Sequence, residues 1–153
     1  MGGQMELNRD FNEFLRLFVD HKVRFLIVGG YALAAHGHPR YTKDLDVWVW
    51  ADPTNATQII SALESFGFGG LGLEASDFAD PEIVVQLGRE PNRIDLLTFA
   101  SGLDFDSAYT NRLIIKIGGV EVPFLSRNDL RTNKLATGRL RDHADAAELP
   151  ELE

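Results

Sequence analysis

The spacing of apolar residues predicts a chain that alternates between helices and strands from its N-terminus. A first amphipathic helix is predicted over residues 7–21. Its apolar side chains recur at helical spacing: Leu7, Phe11, Phe14, Leu15 and Phe18. The apolar run 24–28, ended by a glycine pair, predicts a short buried strand. Residues 31–36 are alanine-rich and favour a second helix, which Gly37 can end in a left-handed conformation.

Residues 44–50 alternate strictly and predict a strand with two different faces. One face is apolar and holds Leu45, Val47 and Val49. The other face holds Asp44, Asp46, Trp48 and Trp50. The sequence Asp52-Pro53-Thr54 opens the next predicted helix, which Gly67 caps at its C-terminus. Residues 68–80 are rich in glycine and are predicted to be a loop.

The second half of the chain predicts two hairpins and a last helix. The four strands span residues 83–87, 93–99, 112–117 and 120–124. Gly118-Gly119 supplies the positive φ that a tight hairpin turn requires. Ser126 with Asp129 has the form of a capping box for the last helix. This order of elements predicts the α+β class, with a mixed β-sheet and helices packed mainly on one face.

Length and composition predict one globular domain over residues 1–153. Residues 1–5 are expected to be disordered, or to be an added sequence before a native Met5. The absence of cysteine excludes disulfides and thiolate metal sites and favours a reducing compartment. No N-terminal apolar core resembles a signal peptide, and no apolar run approaches the roughly 20 residues that span a bilayer. A cytoplasmic protein that does not contact membranes is therefore expected.

The formal net charge of −8 removes the overall basic footprint of a nonspecific nucleic-acid-binding protein. A local basic cluster near the C-terminus remains: Arg127, Arg131, Lys134, Arg139 and Arg141. Two readings of this cluster stay open, a solvated helix face and a patch that contacts an RNA end.

The aspartates carry the main functional signal. Asp44 and Asp46 lie on one strand face, where two like charges repel each other unless a cation binds between them. Mg²⁺ prefers such oxygen ligands, and Asp95 from a neighbouring predicted strand is a candidate third ligand. Gly29 and Gly30 lie between a strand and a helix, where backbone N–H groups can approach a phosphate.

Together these residues resemble the signature of the polymerase-beta-type nucleotidyltransferase superfamily. Val28-Gly29-Gly30, then Asp44-Leu45-Asp46, then a later strand-borne Asp95 match that signature in order. The sequence from Arg40 to Asp46 is most similar to the minimal and abortive-infection-type bacterial members. Lys134, Arg139 and Asp142 are similar to the C-terminal helix of those proteins. The resemblance covers a core of about residues 23–145 and implies the nucleotidyltransferase fold.

The resemblance also implies a reaction, the transfer of a nucleoside monophosphate from an NTP to a hydroxyl group with release of pyrophosphate. Asp44, Asp46 and Asp95 would bind Mg²⁺ or Mn²⁺, as two ions, and Asp95 is also a candidate base for the acceptor. Gly29, Gly30, Thr42 and Lys134 would bind the triphosphate.

The acceptor expected from the resemblance is an RNA such as tRNA, a partner protein or a small molecule bound between subunits of a homo- or hetero-oligomer. A bacterial toxin–antitoxin or phage-defence role would fit such a protein. A module of the same fold that binds a nucleotide or protein partner without catalysis is the alternative.

The sequence allows two interpretations for several single residues. Lys134 is either a phosphate ligand or a surface charge, and Asp95 either binds metal or pairs with Arg93. Trp48 and Trp50 either stack on a base or lie buried beneath the last helix. His36 and His38 are interpreted as loop or N-cap residues, because no further histidine or cysteine stands at ligand spacing.

Overall fold

A seven-stranded mixed sheet forms the centre of the structure. The computed structural model describes residues 4–5, 7–37, 44–89 and 92–137, of which 4–5 only as backbone. The strands are β1 (Gln4–Met5), β2 (Phe25–Val28), β3 (Leu45–Val49), β4 (Val84–Leu87), β5 (Ile94–Leu97), β6 (Leu113–Ile117) and β7 (Val120–Phe124). Their order across the sheet is β1-β6-β7-β2-β3-β5-β4. Strand β2 is antiparallel to β3 and parallel to β7, and β3 is parallel to β5.

Six α-helices connect or cover these strands in the described part of the chain. They are α1 (Arg9–Asp20), α2 (Gly29–Ala35), α3 (Pro53–Phe66), α4 (Ala75–Ala79), α5 (Phe105–Thr110) and α6 (Arg127–Ala136). Side-chain oxygens of the N-cap residues accept backbone N–H bonds at four of them: Asn8, Asp52, Asp104 and Ser126. None of the described helices is long and apolar enough to cross a membrane.

The strand register gives the sheet two faces of different chemistry. Side chains alternate along each strand, and residues opposite each other on neighbouring strands share a face. The apolar face carries Phe25, Ile27, Val47 and Val49. The carboxylate face carries Leu26, Val28, Asp46, Trp48, Asp95 and Leu97.

Helices α1 and α3 cover the apolar face with aromatic side chains. The rings of Phe18 and Phe25 meet at 5.5 Å and those of Phe14 and Phe66 at 5.4 Å, which joins α1 to the sheet and to α3. Phe14 and Phe18 are fully buried. Each such side chain contributes roughly 1.5–3 kcal/mol through removal of its apolar surface from water. This face therefore holds much of the hydrophobic core.

The short helix α5 and the last helix α6 lie against the carboxylate face. Phe105 of α5 packs edge-on against Trp48, with ring centroids 5.1 Å apart. Asn133 of α6 donates a hydrogen bond to the carbonyl of Ser101, which fixes α6 to the loop after β5. Near the open edge, Gln86 and Val84 of β4 lie opposite Asp95 and Leu97 and are exposed. The carboxylate face is thus covered in its middle and open at β4.

The predicted α+β class with a mixed sheet is confirmed, as are both hairpins and the C-cap at Gly67. Of the predicted capping box at Ser126, the structure shows the N-cap bond, which the Asp129 backbone N–H donates to the Ser126 hydroxyl. The prediction of a loop over residues 68–80 is wrong, because a 3₁₀ turn and α4 form there. Helix α4 has one buried apolar side chain, Phe78, and is stabilised by a capping box between Glu74 and Asp77. Strand β1 and helix α5 were not predicted, since two and six residues are too short for a periodic pattern.

Candidate functional site

Asp46 and Asp95 face each other across the parallel pair β3 and β5. Both side chains belong to the carboxylate face, and Asp95 is 9% exposed. Their carboxyl groups are close enough to share a hydrogen bond. Asp44 immediately precedes β3 and contributes a third negative charge to the same group. The structure thereby brings together the three aspartates that the sequence singled out.

The pKa of Asp46 is raised from an ordinary 3.8 to about 7. Burial of the carboxyl group is the largest cause, and the charges of Asp95 and Asp44 add to it. The Lys134 ammonium acts in the opposite direction and lowers the pKa of Asp46. A carboxyl group in this environment gains from any additional cation that binds beside it.

Arg93 connects two of the aspartates. Its Nε donates to Oδ1 of Asp95 at 2.8 Å and its terminal nitrogen to Oδ2 of the same residue at 3.1 Å. That terminal nitrogen also donates to Oδ2 of Asp44 at 2.8 Å. The bidentate contact to Asp95 is the strong, directional form of an arginine–carboxylate pair. The predicted pairing of Asp95 with Arg93 is therefore present, and the same carboxyl group lies beside Asp46, where the alternative prediction placed a metal ligand.

Gly29 lies so close to Asp46 that its lack of a side chain is required. Gly29 has φ +68°, a conformation that costs other residues free energy. A Cβ atom there would collide with Oδ2 of Asp46 and would stand 3.1 Å from its Cγ. Gly29 and Gly30 form the first turn of α2, so the helix begins two residues before the predicted start at residue 31. The backbone of α2 therefore begins directly against the carboxylate group.

Lys134 lies on α6 and is 9% exposed, so its ammonium is not a solvated surface charge. Its charge reaches Asp46 from the helix that covers the carboxylate face. A buried lysine beside carboxylates keeps one positive charge at the centre of a strongly negative group.

The three aspartates supply the hard oxygen donors that Mg²⁺ and Mn²⁺ prefer, and in this respect they fit a divalent ion. In their present arrangement, no three Asp, Glu, His or Cys residues of the described chain are placed to hold a metal ion together. Arg93 contacts three of the carboxylate oxygens in this arrangement. The carboxylate oxygens are suitable ligands for Mg²⁺ or Mn²⁺, but in this structure Asp44 and Asp95 are held together by the guanidinium group of Arg93.

The remaining predicted residues have varied outcomes. Thr42, Arg139, Asp142 and His38 lie outside the described residues. His36 is the C-cap of α2, and its Nε2 lies 2.9 Å from the carbonyl oxygen of Leu125. Trp48 is buried against α5, a helix that the sequence did not reveal, and Trp50 packs under the guanidinium of Arg24.

The contact of Arg93 with Asp44 was not predicted from the sequence. The sequence suggested its pairing with Asp95, two positions away. Its contact with Asp44 depends on the parallel register of β3 and β5, because the backbone N–H of Leu45 bonds to the carbonyl of Arg93 at 3.0 Å. The residue pattern of one strand does not predict a side-chain contact with a residue beside a different strand.

Comparisons with known proteins agree with this fold. A family model described as "Nucleotidyltransferase of unknown function (DUF6036)" matches residues 6–149. The chain is similar to the crystal structure of a candidate nucleotidyltransferase, TM1012 from Thermotoga maritima, with 14% identity, a TM-score of 0.62 and coverage of 92% of this chain and 89% of the other. It is also similar to the lincosamide antibiotic adenylyltransferase LnuA in its lincomycin-bound form, with 15% identity, a TM-score of 0.52 and coverage of 94% and 96%. No curated protein matches the chain at a significant level. At these identities, the two structures show that the fold is shared.

Proposed function

This chain belongs to the family described as nucleotidyltransferases of unknown function, DUF6036, and we propose that it transfers a nucleoside monophosphate from an NTP to a hydroxyl group at the carboxylate face. One observation carries the proposal. Asp46 and Asp95 face each other in register, directly beside the first turn of α2 and within reach of the charge of Lys134. A carboxyl group with a raised pKa that faces a second carboxyl group beside a buried lysine is expected at a functional site rather than in a structural core.

Asp44, Asp46 and Asp95 are the residues that would hold Mg²⁺ or Mn²⁺. When bound, such ions neutralise charge on the triphosphate and activate the attacking hydroxyl group. The contribution of the chain itself is to hold Asp46 and Asp95 on a rigid sheet with Asp44 directly before β3, which fixes their positions before a nucleotide arrives. The raised pKa of Asp46 means that its proton must leave before all three groups carry charge.

The other residues divide the work of binding the nucleotide. The absence of a side chain at Gly29 leaves the α2 backbone free to approach a phosphate next to Asp46. Lys134 supplies a point charge for the phosphate oxygens from the opposite side, on α6. Thr42 is proposed to assist from the segment before Asp44. Asp95 is proposed to accept the proton of the acceptor hydroxyl group.

The acceptor is proposed to approach over β4. Gln86 lies opposite Asp95, and both Gln86 and Val84 are exposed on the carboxylate face. The proposed acceptors are an RNA end, a partner protein or a small molecule, and a toxin–antitoxin setting would account for the first two.

The same fold without catalysis, binding a nucleotide or a partner, is the second candidate function. The observation that favours it is the engagement of Asp44 and Asp95 by Arg93. In that case the nucleotide would bind while its α-phosphate stayed intact.

Transfer of label from an α-³²P-labelled NTP distinguishes these functions. The protein is incubated with each NTP, Mg²⁺ and fractionated RNA, protein and small-molecule extracts. We expect label to appear in one of these fractions. Transfer of label should be lost in the Asp46→Asn and Asp95→Asn variants but retained in Arg16→Gln, which lies on the opposite side of the sheet. Nucleotide binding without transfer in any fraction would favour the second candidate, and no nucleotide binding with or without Mg²⁺ would refute both.

A further inference from the structure

Arg93 engages the carboxylate group more fully than an ordinary surface ion pair would. Its guanidinium contacts both oxygens of Asp95 and one oxygen of Asp44, at 2.8–3.1 Å. The side chains are largely screened from water, with exposed fractions of 26% for Arg93, 22% for Asp44 and 12% for Asp95. Partial burial makes these contacts stronger than their exposed equivalents, because water screens them less.

The same oxygens are the ones that a divalent ion would need. Both oxygens of Asp95 accept hydrogen bonds from Arg93, so a metal that coordinates Asp95 shares its ligand atoms with a cationic group that repels it. The contact with Asp44 links two chain segments that the metal would also have to join. A guanidinium and a divalent ion therefore compete for shared ligands, and binding of one weakens binding of the other.

We propose that Arg93 is an internal counter-cation that holds Asp44 and Asp95 until a divalent ion binds and displaces it. This inference rests on the proposed function. Arg93 is a positioning residue in this account: it keeps the carboxylates together in the free protein and lowers their affinity for metal. The triphosphate of the nucleotide brings additional ligands for the ion, so the exchange is expected to favour metal when nucleotide is present.

Titration with Mn²⁺ tests the competition directly, with free ion detected by electron paramagnetic resonance. Arg93→Gln removes the competing charge, and we expect its dissociation constant for Mn²⁺ alone to fall roughly tenfold below that of the unmodified protein. Arg93→Lys keeps the charge but cannot bridge two carboxylates in the same way, so an intermediate value is expected. Arg16→Gln is the matched control, because it removes the same charge from α1 on the other side of the sheet.

Thermal unfolding gives a second readout that does not depend on catalysis. Without metal, Arg93→Gln is expected to unfold at a lower temperature than the unmodified protein, since three carboxylates lose a counter-charge. Saturating Mn²⁺ is expected to raise the unfolding temperature of Arg93→Gln by more than that of the unmodified protein. A merely structural arginine would lower the unfolding temperature equally with and without Mn²⁺.

The outcomes separate this inference from the proposed function. Equal or weaker Mn²⁺ binding by Arg93→Gln, with binding still lost in Asp46→Asn, would overturn the competition and leave the proposed function standing. Absence of Mn²⁺ binding in every variant, with or without a non-hydrolysable NTP analogue, would overturn both.

If Arg93→Gln does not fold, the Nε–H resonance of Arg93 in the unmodified protein tests the displacement instead. The resonance is assigned by its loss in Arg93→Lys. For this measurement the titration uses diamagnetic Mg²⁺ in place of Mn²⁺, together with the analogue. We expect the resonance to shift as Mg²⁺ is added, and an unchanged resonance would refute the displacement.

Discussion

The two faces of the same sheet are stabilised in opposite ways. Val47 and Asp46 are neighbours in β3, yet Val47 is fully buried against apolar side chains while Asp46 lies among two other carboxylates. The apolar face gains stability from every aromatic ring that α1 and α3 bring to it. The carboxylate face concentrates like charges and raises the pKa of Asp46, which costs stability when no cation is bound.

This difference indicates where the molecule carries its function. Packing alone would favour apolar side chains on both faces, so the repelling charges on one of them point to a binding surface. Arg93 and Lys134 compensate part of the repulsion. Changes on the apolar face should therefore alter stability alone, whereas changes on the carboxylate face should also alter activity and the dependence of stability on pH.

Phe18→Ala should have the largest effect on stability. Phe18 is fully buried and contacts the rings of Phe14 and Phe25, so the substitution leaves a cavity in the apolar face. We expect a loss of about 3–5 kcal/mol in the free energy of unfolding, measured by denaturant titration. Leu71→Ala is the control, because Leu71 is 54% exposed and its loss should cost under about 0.5 kcal/mol. Equal losses in the two variants would contradict the assignment of the core.

The pH dependence of stability should distinguish Asp46 from other carboxylates. Its folded-state pKa of about 7 lies above the ordinary 3.8, so the folded state holds the proton more tightly than the unfolded state. The resulting stabilisation is fully present below pH 3.8 and is lost as the pH rises through about 7. Without metal, the unmodified protein should lose about 2–4 kcal/mol relative to Asp46→Asn across this window. A difference between the two proteins that stays constant with pH would show that Asp46 is not perturbed.

Asp95→Asn should leave the fold in place and remove activity. Asparagine has the same shape but no charge, so we expect the rate of nucleotidyl transfer to fall by about 100-fold or more. That decrease corresponds to about 2.7 kcal/mol in the activation barrier. Labelled transfer gives the rate, and circular dichroism checks the fold. Retained transfer in a folded Asp95→Asn protein would place catalysis elsewhere.

Gly29→Ala should have the smallest of these effects, and Gly37→Ala provides its control. Both glycines have positive φ, at +68° and +88°. A Cβ at Gly37 meets no atom within 4 Å, whereas a Cβ at Gly29 collides with Asp46. Gly37→Ala should cost about 1 kcal/mol through the backbone alone. We expect Gly29→Ala to cost about 1–2 kcal/mol more in denaturant titration. Equal costs would mean that α2 does not begin against the carboxylates.

The sequence predicted most of the fold where apolar periodicity or turn chemistry was strong. Helix α1, the strand that contains Asp46 and the Gly118-Gly119 hairpin all have patterns that depend on local spacing. Helix α5 was missed because its packing depends on Phe105 meeting Trp48, a contact between distant parts of the chain. The physical limit is that short elements are stabilised by tertiary contacts, which local patterns do not contain.

The candidate site divides in the same way. Asp44, Asp46 and Asp95 were selected from their order along the chain, and the fold brings them together. Their roles in metal binding and catalysis stay predictions. The position of Arg93 between Asp44 and Asp95 and the burial of Lys134 depend on strand register and helix packing. These two cations offset part of the negative charge of the site, and their positions follow only from the folded structure.

A crystal grown with Mn²⁺ and a non-hydrolysable NTP analogue would show whether the three aspartates bind metal beside the nucleotide. Anomalous scattering at the manganese edge locates the ions independently of any assumed site. We expect anomalous density between Asp44, Asp46 and Asp95, with the triphosphate near Gly29 and Lys134. Arg93 should then be withdrawn from at least one carboxylate. Nucleotide bound elsewhere, or bound with no manganese at these three aspartates, would contradict it.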